Sequence, residues 1–190
     1  MKKILFTVVA LFACVFAFAG SPVKVVSGAL PSLEGKKIAI VHDYSKMMIL
    51  DEDSKKTMTI DAFCEMKGED WVRDKGKDNV DAEGDFAEVI ADKASKITFV
   101  TDKSNADYVL VVQPTTFGYG NPFAFKAFMP KDVNGFFEGN FILKTADGSA
   151  VAEMNCEKTI GPGGYNWTHQ KCNVYKTIAK QLASVLKKAK

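Results

Sequence analysis

The chain has 190 residues, 47% hydrophobic and 25% charged, with a formal net charge of +2. The first nineteen residues hold Lys2 and Lys3 and no acid, so the remainder is neutral, with charges of both signs interspersed. That excludes the clustered basic face a nucleic-acid-binding protein needs, and the length fits one domain with a proper core.

Lys2 and Lys3 precede an apolar run from Ile4 to Phe18, which ends in Ala17-Phe18-Ala19. A basic start, an apolar stretch and small residues at the cleavage positions are the pattern of a secretory signal peptide, read here as residues 1–19. The run falls short of the ~20 residues of a transmembrane helix, so no transmembrane anchor is expected after cleavage. The expected location is periplasmic or secreted. Leu11-Phe12-Ala13-Cys14 matches a lipobox only in part. Phe12 is awkward there and Val15 to Phe18 continue the apolar run, so Cys14 reads as an ordinary signal residue.

Residues 20–35 read as a flexible leader closed by the turn Glu34-Gly35-Lys36. A single α/β domain is expected over 36–190. Lys37 to Val41 is a short apolar, β-branched run and predicts a buried strand. Met47 to Leu50 is either a second extended piece or a helix start. Thr59 to Met66 predicts a short helix capped by Thr59 or Asp61. Glu69 to Asn79 reads as charged and turn-rich. Asp81 to Lys96 predicts a helix capped by Asp81 or Asp85, with Phe86, Val89, Ile90 and Ala94 at helical spacing. Ile97 to Val100 and Tyr108 to Val112 predict strands. Phe137 to Thr145 and Ala150 to Ile160 predict a hairpin around Asp147-Gly148, and the alternation in the return strand turns one face to water. Gly161 to Gly164 breaks it. Asn173 to Lys190 predicts an amphipathic helix with the stripe Val174, Ile178, Leu182 and Val185. The lysines at its end complement the helix dipole. The expected fold is α/β (α+β): a mixed four- to five-stranded sheet with packed helices and a C-terminal amphipathic helix.

The aromatic segment from Phe117 to Phe141, broken by Gly118, Gly120, Pro122 and Pro130, carries the first candidate site. Phe117, Tyr119, Phe123, Phe125 and Phe128 could dock on a partner or membrane surface, or line a pocket for an apolar ligand. Packing in the core is the competing reading.

Chemical motifs are sparse. His42-Asp43 ends a strand at the edge where α/β sites form, but neighbours on a strand point to opposite faces. Cys156, His169 and Cys172 could hold zinc, but paired C-x-x-C spacing is missing. In an oxidising compartment three cysteines leave one over, and Cys156 with Cys172 is the candidate disulfide. Gly161-Pro162-Gly163-Gly164 lacks the ending of a phosphate loop. No catalytic residue, metal ligand or cofactor is therefore assigned, and the chain is expected not to be an enzyme.

Lys36 to Val41 followed by a helical region, Ala106-Asp107-Tyr108 to Val112 and a terminal amphipathic helix resembles small, uncharacterised secreted proteins of the bacterial envelope. The layout is also similar to the anticodon-binding-like α/β domain of the TolB N-terminal region, the curli secretion lipoprotein and the lipoprotein activators of penicillin-binding proteins. The resemblance implies work through protein contacts, with an envelope protein as partner. An edge strand or the aromatic loop would make the contact.

Overall fold

A computed structural model describes residues 22–51, 55–120, 134–164 and 166–189. The signal-peptide residues, Cys14, Phe123, Phe125 and Phe128 lie outside them. The strands are β1 (Val23–Gly28), β2 (Lys37–His42), β3 (Met48–Asp51), β4 (Lys56–Thr59), β5 (Thr98–Val100), β6 (Tyr108–Tyr119), β7 (Phe136–Thr145) and β8 (Ala150–Ile160). The α-helices are α1 (Ile60–Lys67), α2 (Glu69–Lys93) and α3 (Trp167–Leu186). Among the described residues no helix is long and apolar enough to cross a membrane.

The α/β class holds, but among the described residues the sheet has eight strands where four or five were expected. Its path runs β1-β8-β7-β6-β2-β5, with β3 and β4 branching from β6. Parts of the chain that look irregular in sequence supply the difference. The leader contributes β1, whose Val23 to Gly28 pair antiparallel with β8. Val23 is fully buried and Leu33 is 1% exposed, so these apolar residues tie the leader to the core.

The long strand β6 has two partners on one side. Tyr108 to Val112 pair in parallel with β2, and Thr116 to Tyr119 pair in parallel with β3. Pro114 sits where the partner changes and where the ladder to β7 shifts register. A residue without an N–H is tolerated at such an irregularity. Gly139 faces it from β7. A Cβ there would lie 2.5 Å from the Gln113 carbonyl oxygen and 2.9 Å from the Pro114 Cα, so only glycine admits the approach. The β7–β8 hairpin turns at Asp147-Gly148 as expected, with Gly148 at φ 94° and its N–H donating to the Thr145 carbonyl at 2.9 Å.

Thr59 caps α1, accepting from the Ala62 N–H at 3.2 Å. The segment expected to be turn-rich is instead the start of α2, so Asp81 and Asp85 lie inside a helix and cap nothing. Asn166 caps α3, which begins at Trp167, ahead of the expected Asn173. Helices α2 and α3 pack together on one face of the sheet. Phe86 and Ile90 from α2 meet Val174, Tyr175, Ile178 and Leu182 from α3 over Ile38, Leu110, Val112, Phe141, Leu143 and Met154. Each such side chain contributes roughly 1.5–3 kcal/mol on burial, which makes this interface the main stabilising element.

Candidate functional site: an uncovered sheet face and a buried polar cluster

Register places a second set of side chains on the face away from the helices. Val41, Val111, Ile142 and Glu153 form one row across β2, β6, β7 and β8. Val100, Ala39, Val109 and Lys144 form the next. Beyond them runs a polar row of Gln113, Asn140, Asn155 and Lys24. Asn155 Nδ2 donates to Asn140 Oδ1 at 3.0 Å, and Gln113 Nε2 donates to Asp43 Oδ2 at 2.8 Å. Val41, Val109, Val111 and Ile142 are half-buried and belong to no part of the hydrophobic core. Among the described residues both large helices lie on the opposite face.

The sheet edges are blunted. The register of β1 shifts between Val25 and Ser27, which turns Val26 outward at 61% exposure, and β5 is three residues long. Bulges and very short edge strands are the usual means of discouraging strand addition.

Under the helices, at the carboxyl ends of the parallel strands, lies a polar cluster within the core. The Lys171 side chain is 1% exposed; its Nζ donates to Asn79 Oδ1 and lies over the rings of Tyr44 and Phe117. Tyr44 donates to Glu83 Oε1 at 2.9 Å, and Tyr175 donates to Tyr44 at 3.5 Å. Asp78 accepts from Tyr119 at 3.4 Å and from Thr168. Burial lowers the Lys171 ammonium to about 8, against the raising influence of Asp78 and Glu83. Burial likewise pushes the Tyr44 and Tyr175 phenols above the usual tyrosine range.

His42 borders this cluster. Its ring meets Phe86 edge-on at 5.4 Å and stacks on Tyr175 at 5.9 Å and on Tyr44 at 6.1 Å. Asp43 turns to the other face, where it accepts from the Ser45 N–H at 3.0 Å and from Gln113. Hydrogen bonds from Ser45 and Gln113 hold its carboxyl down at about 2. The two neighbours therefore form no acid–base pair, as strand geometry requires.

A polar cleft of about 770 Å³ opens between α2 and the start of α3. Asp81, Asp85, His169, Cys172 and Lys176 line it, with the backbone of Gly163 and Gly164. Glycine is needed in that loop because a Cβ on Gly164 would lie 2.7 Å from the Gln170 nitrogen, and one on Gly161 2.8 Å from the Val174 nitrogen. Lys176 pairs with Asp85 at 3.1 Å. Cys172 has its thiol raised to about 12 by burial and by a hydrogen bond with Asp85.

The residues singled out in the sequence thus fall in different places. Phe117 is fully buried and Tyr119 is 6% exposed; both pack in the core, so neither presents a docking surface. Cys156 and Cys172 are buried, unlinked thiols, so the candidate disulfide is not formed. Cys156 lies on β8 beside Thr159, at 3.4 Å, while Cys172 faces α2. For the same reason Cys156 does not join His169 and Cys172, and among the described residues no three metal-ligating side chains converge. Apart from Tyr119, the residues of the buried cluster are not among those the sequence singles out. A signal for Lys171 did exist: it stands three and four positions before Val174 and Tyr175, and so in line with the buried stripe.

These features define a mixed α/β protein. No protein-family model matches the chain, and no curated protein matches it. Solved bacterial structures are similar over most of its length. A PelC dodecamer from Paraburkholderia phytofirmans is 14% identical with a TM-score of 0.43, covering 84% of this chain and 96% of the other. A DUF4136 family protein from Bacteroides thetaiotaomicron is 10% identical with a TM-score of 0.36, covering 88% of this chain and 97% of the other. Neither is described as one of the TolB, curli or penicillin-binding-protein activator families.

Proposed function

We propose that this is an exported, non-enzymatic protein of the bacterial cell envelope that works by binding another envelope protein through the helix-free face of its sheet. One observation carries the reading. Ile38-Ala39-Ile40-Val41 and Tyr108-Val109-Leu110-Val111-Val112 are continuous apolar runs on strands paired in parallel. Continuous runs are characteristic of strands covered on both faces, whereas a face meant for water alternates with polar residues. Here α2 and α3 cover one face, and Val41, Val109, Val111 and Ile142 remain on the other inside a polar rim. A protein surface is the occupant of matching chemistry, with an apolar centre and hydrogen-bonding groups for Asn140, Asn155 and Gln113 at its margin. Export rests on the signal-peptide pattern of residues 1–19. The blunted edges favour this face over strand addition.

Site-specific photocrosslinkers at Val111 and Ile142, with one at Asp92 on the exposed side of α2 as control, test the reading in the host envelope. Crosslinks from the two sheet positions to one common polypeptide, lost when Val41 is changed to Lys, are the expected result. Equal capture from all three positions, or none from the sheet, would overturn it.

A further inference from the structure

Among the described residues two buried side-chain atoms lack a hydrogen-bond partner, Gln170 Oε1 and, bordering the polar cluster, His42 Nδ1. By contrast, the hydroxyls of Tyr44 and Tyr175, the carboxylates of Glu83 and Asp78 and the ammonium of Lys171 are bonded to one another or to Asn79 and Thr168. The half-buried His42 is surrounded by rings and a cation, with no hydrogen-bond acceptor for Nδ1 among the described residues. From α2 comes the Phe86 ring, and from α3 the Tyr175 ring and the Lys171 ammonium. From the β2–β3 loop comes the Tyr44 ring, whose hydroxyl already engages Glu83. On its own strand Asp43 points to the far face. A neutral imidazole is tolerated there; an imidazolium would be a second positive charge beside Lys171, and among the described residues the nearby Glu83 carboxylate is engaged by Tyr44 and does not reach it.

We propose that His42 is an acid-sensitive latch: its protonation unseats the α2–α3 layer from this end of the sheet and exposes Tyr44 and Tyr175. This holds whatever covers the opposite face. Burial first, and Lys171 second, lower the imidazole from 6.5 to about 4 in the folded chain. Between those values the unfolded or opened chain binds the extra proton, so acid favours it, and the stabilisation present above 6.5 drains away as pH falls toward 4.

Urea denaturation of the wild-type chain and of His42→Phe between pH 7 and 4.5 tests the latch, because the phenyl ring fits the aromatic setting and cannot titrate. The folding constant of the wild type should fall roughly sixtyfold further than that of the variant between pH 7 and 4.5. Parallel pH profiles would overturn the proposal. Should His42→Phe fail to fold, His169→Gln leaves a single imidazole whose NMR titration decides. Protonation near pH 4, together with loss of the tyrosine near-ultraviolet dichroism, supports the latch. Protonation near 6.5 with that signal intact refutes it.

Discussion

The ammonium of Lys171 lies 5.5 Å from the centre of the Tyr44 ring and 5.7 Å from that of Phe117. A charge enclosed in this way makes stability depend on alkaline pH. Lys171 holds its proton up to 10.5 in the unfolded chain but only to about 8 when folded. Between those values the unfolded state carries the extra proton, and stability rises with pH. From pH 7.5 to 11 the wild type should gain about 3 kcal/mol relative to Lys171→Met, as read from urea midpoints. A difference between the two that stays constant with pH would mean that the ammonium reaches water.

Phe117 provides a second test, since its role separates packing from docking. It contacts Tyr119 at 4.8 Å and Tyr175 at 6.4 Å between ring centres and is fully buried. Phe117→Ala should cost ~3–5 kcal/mol in chemical denaturation. A cost below ~1 kcal/mol would return the residue to the surface.

Two glycines should respond in opposite ways to alanine. At Gly139 the new methyl would meet main-chain atoms of Gln113 and Pro114, which cannot swing aside. Gly139→Ala should lower stability by about 1–3 kcal/mol. At Gly84, inside α2, a Cβ meets nothing within 4 Å, so Gly84→Ala should raise stability by roughly 0.5–1 kcal/mol. Thermal unfolding of the two variants distinguishes them by the sign of the shift in Tm.

The thiols offer a chemical check. Burial pushes Cys156 up to about 11, and burial with Asp85 pushes Cys172 up to about 12. Since the thiolate is the nucleophile, both should resist iodoacetamide at pH 8 in the native protein and react once it is unfolded. Peptide mapping should also find no Cys156–Cys172 bond after mild oxidation. Recovery of that bond would mean that α3 can leave its place on α2.

Where one face of an element is buried and its turn chemistry is strong, the sequence is readable. Lys37 to Val41, Tyr108 to Val112 and the hairpin around Asp147-Gly148 are strands as expected, and the stripe from Val174 to Val185 packs as a helix. The losses have particular causes. In β1 the bulge at Val26 breaks the alternation. The second half of β6 contains Pro114 and Gly118, ordinarily breakers, and is held extended by ladders to β7 and β3. The first half of α2 has no apolar stripe to announce it. The buried cluster was hidden because lysine and aspartate read as solvent-facing, and only tertiary packing brings Lys171, Asp78, Glu83 and Tyr44 together. His169 and Cys172 drew attention by their spacing, while the two buried residues between them, Gln170 and Lys171, did not.

The change of partner along β6 also bears on how the molecule assembles. β7 and β8 meet through a tight turn, whereas Ile38 must find Tyr108, and Ile49 must find Phe117, across long stretches of chain. Closing such distances is entropically slow, so the local hairpin is the natural nucleus and β6 the template on which β2 and β3 settle late. Substitutions in the β7–β8 turn should therefore slow refolding, while those in β2 should mainly hasten unfolding.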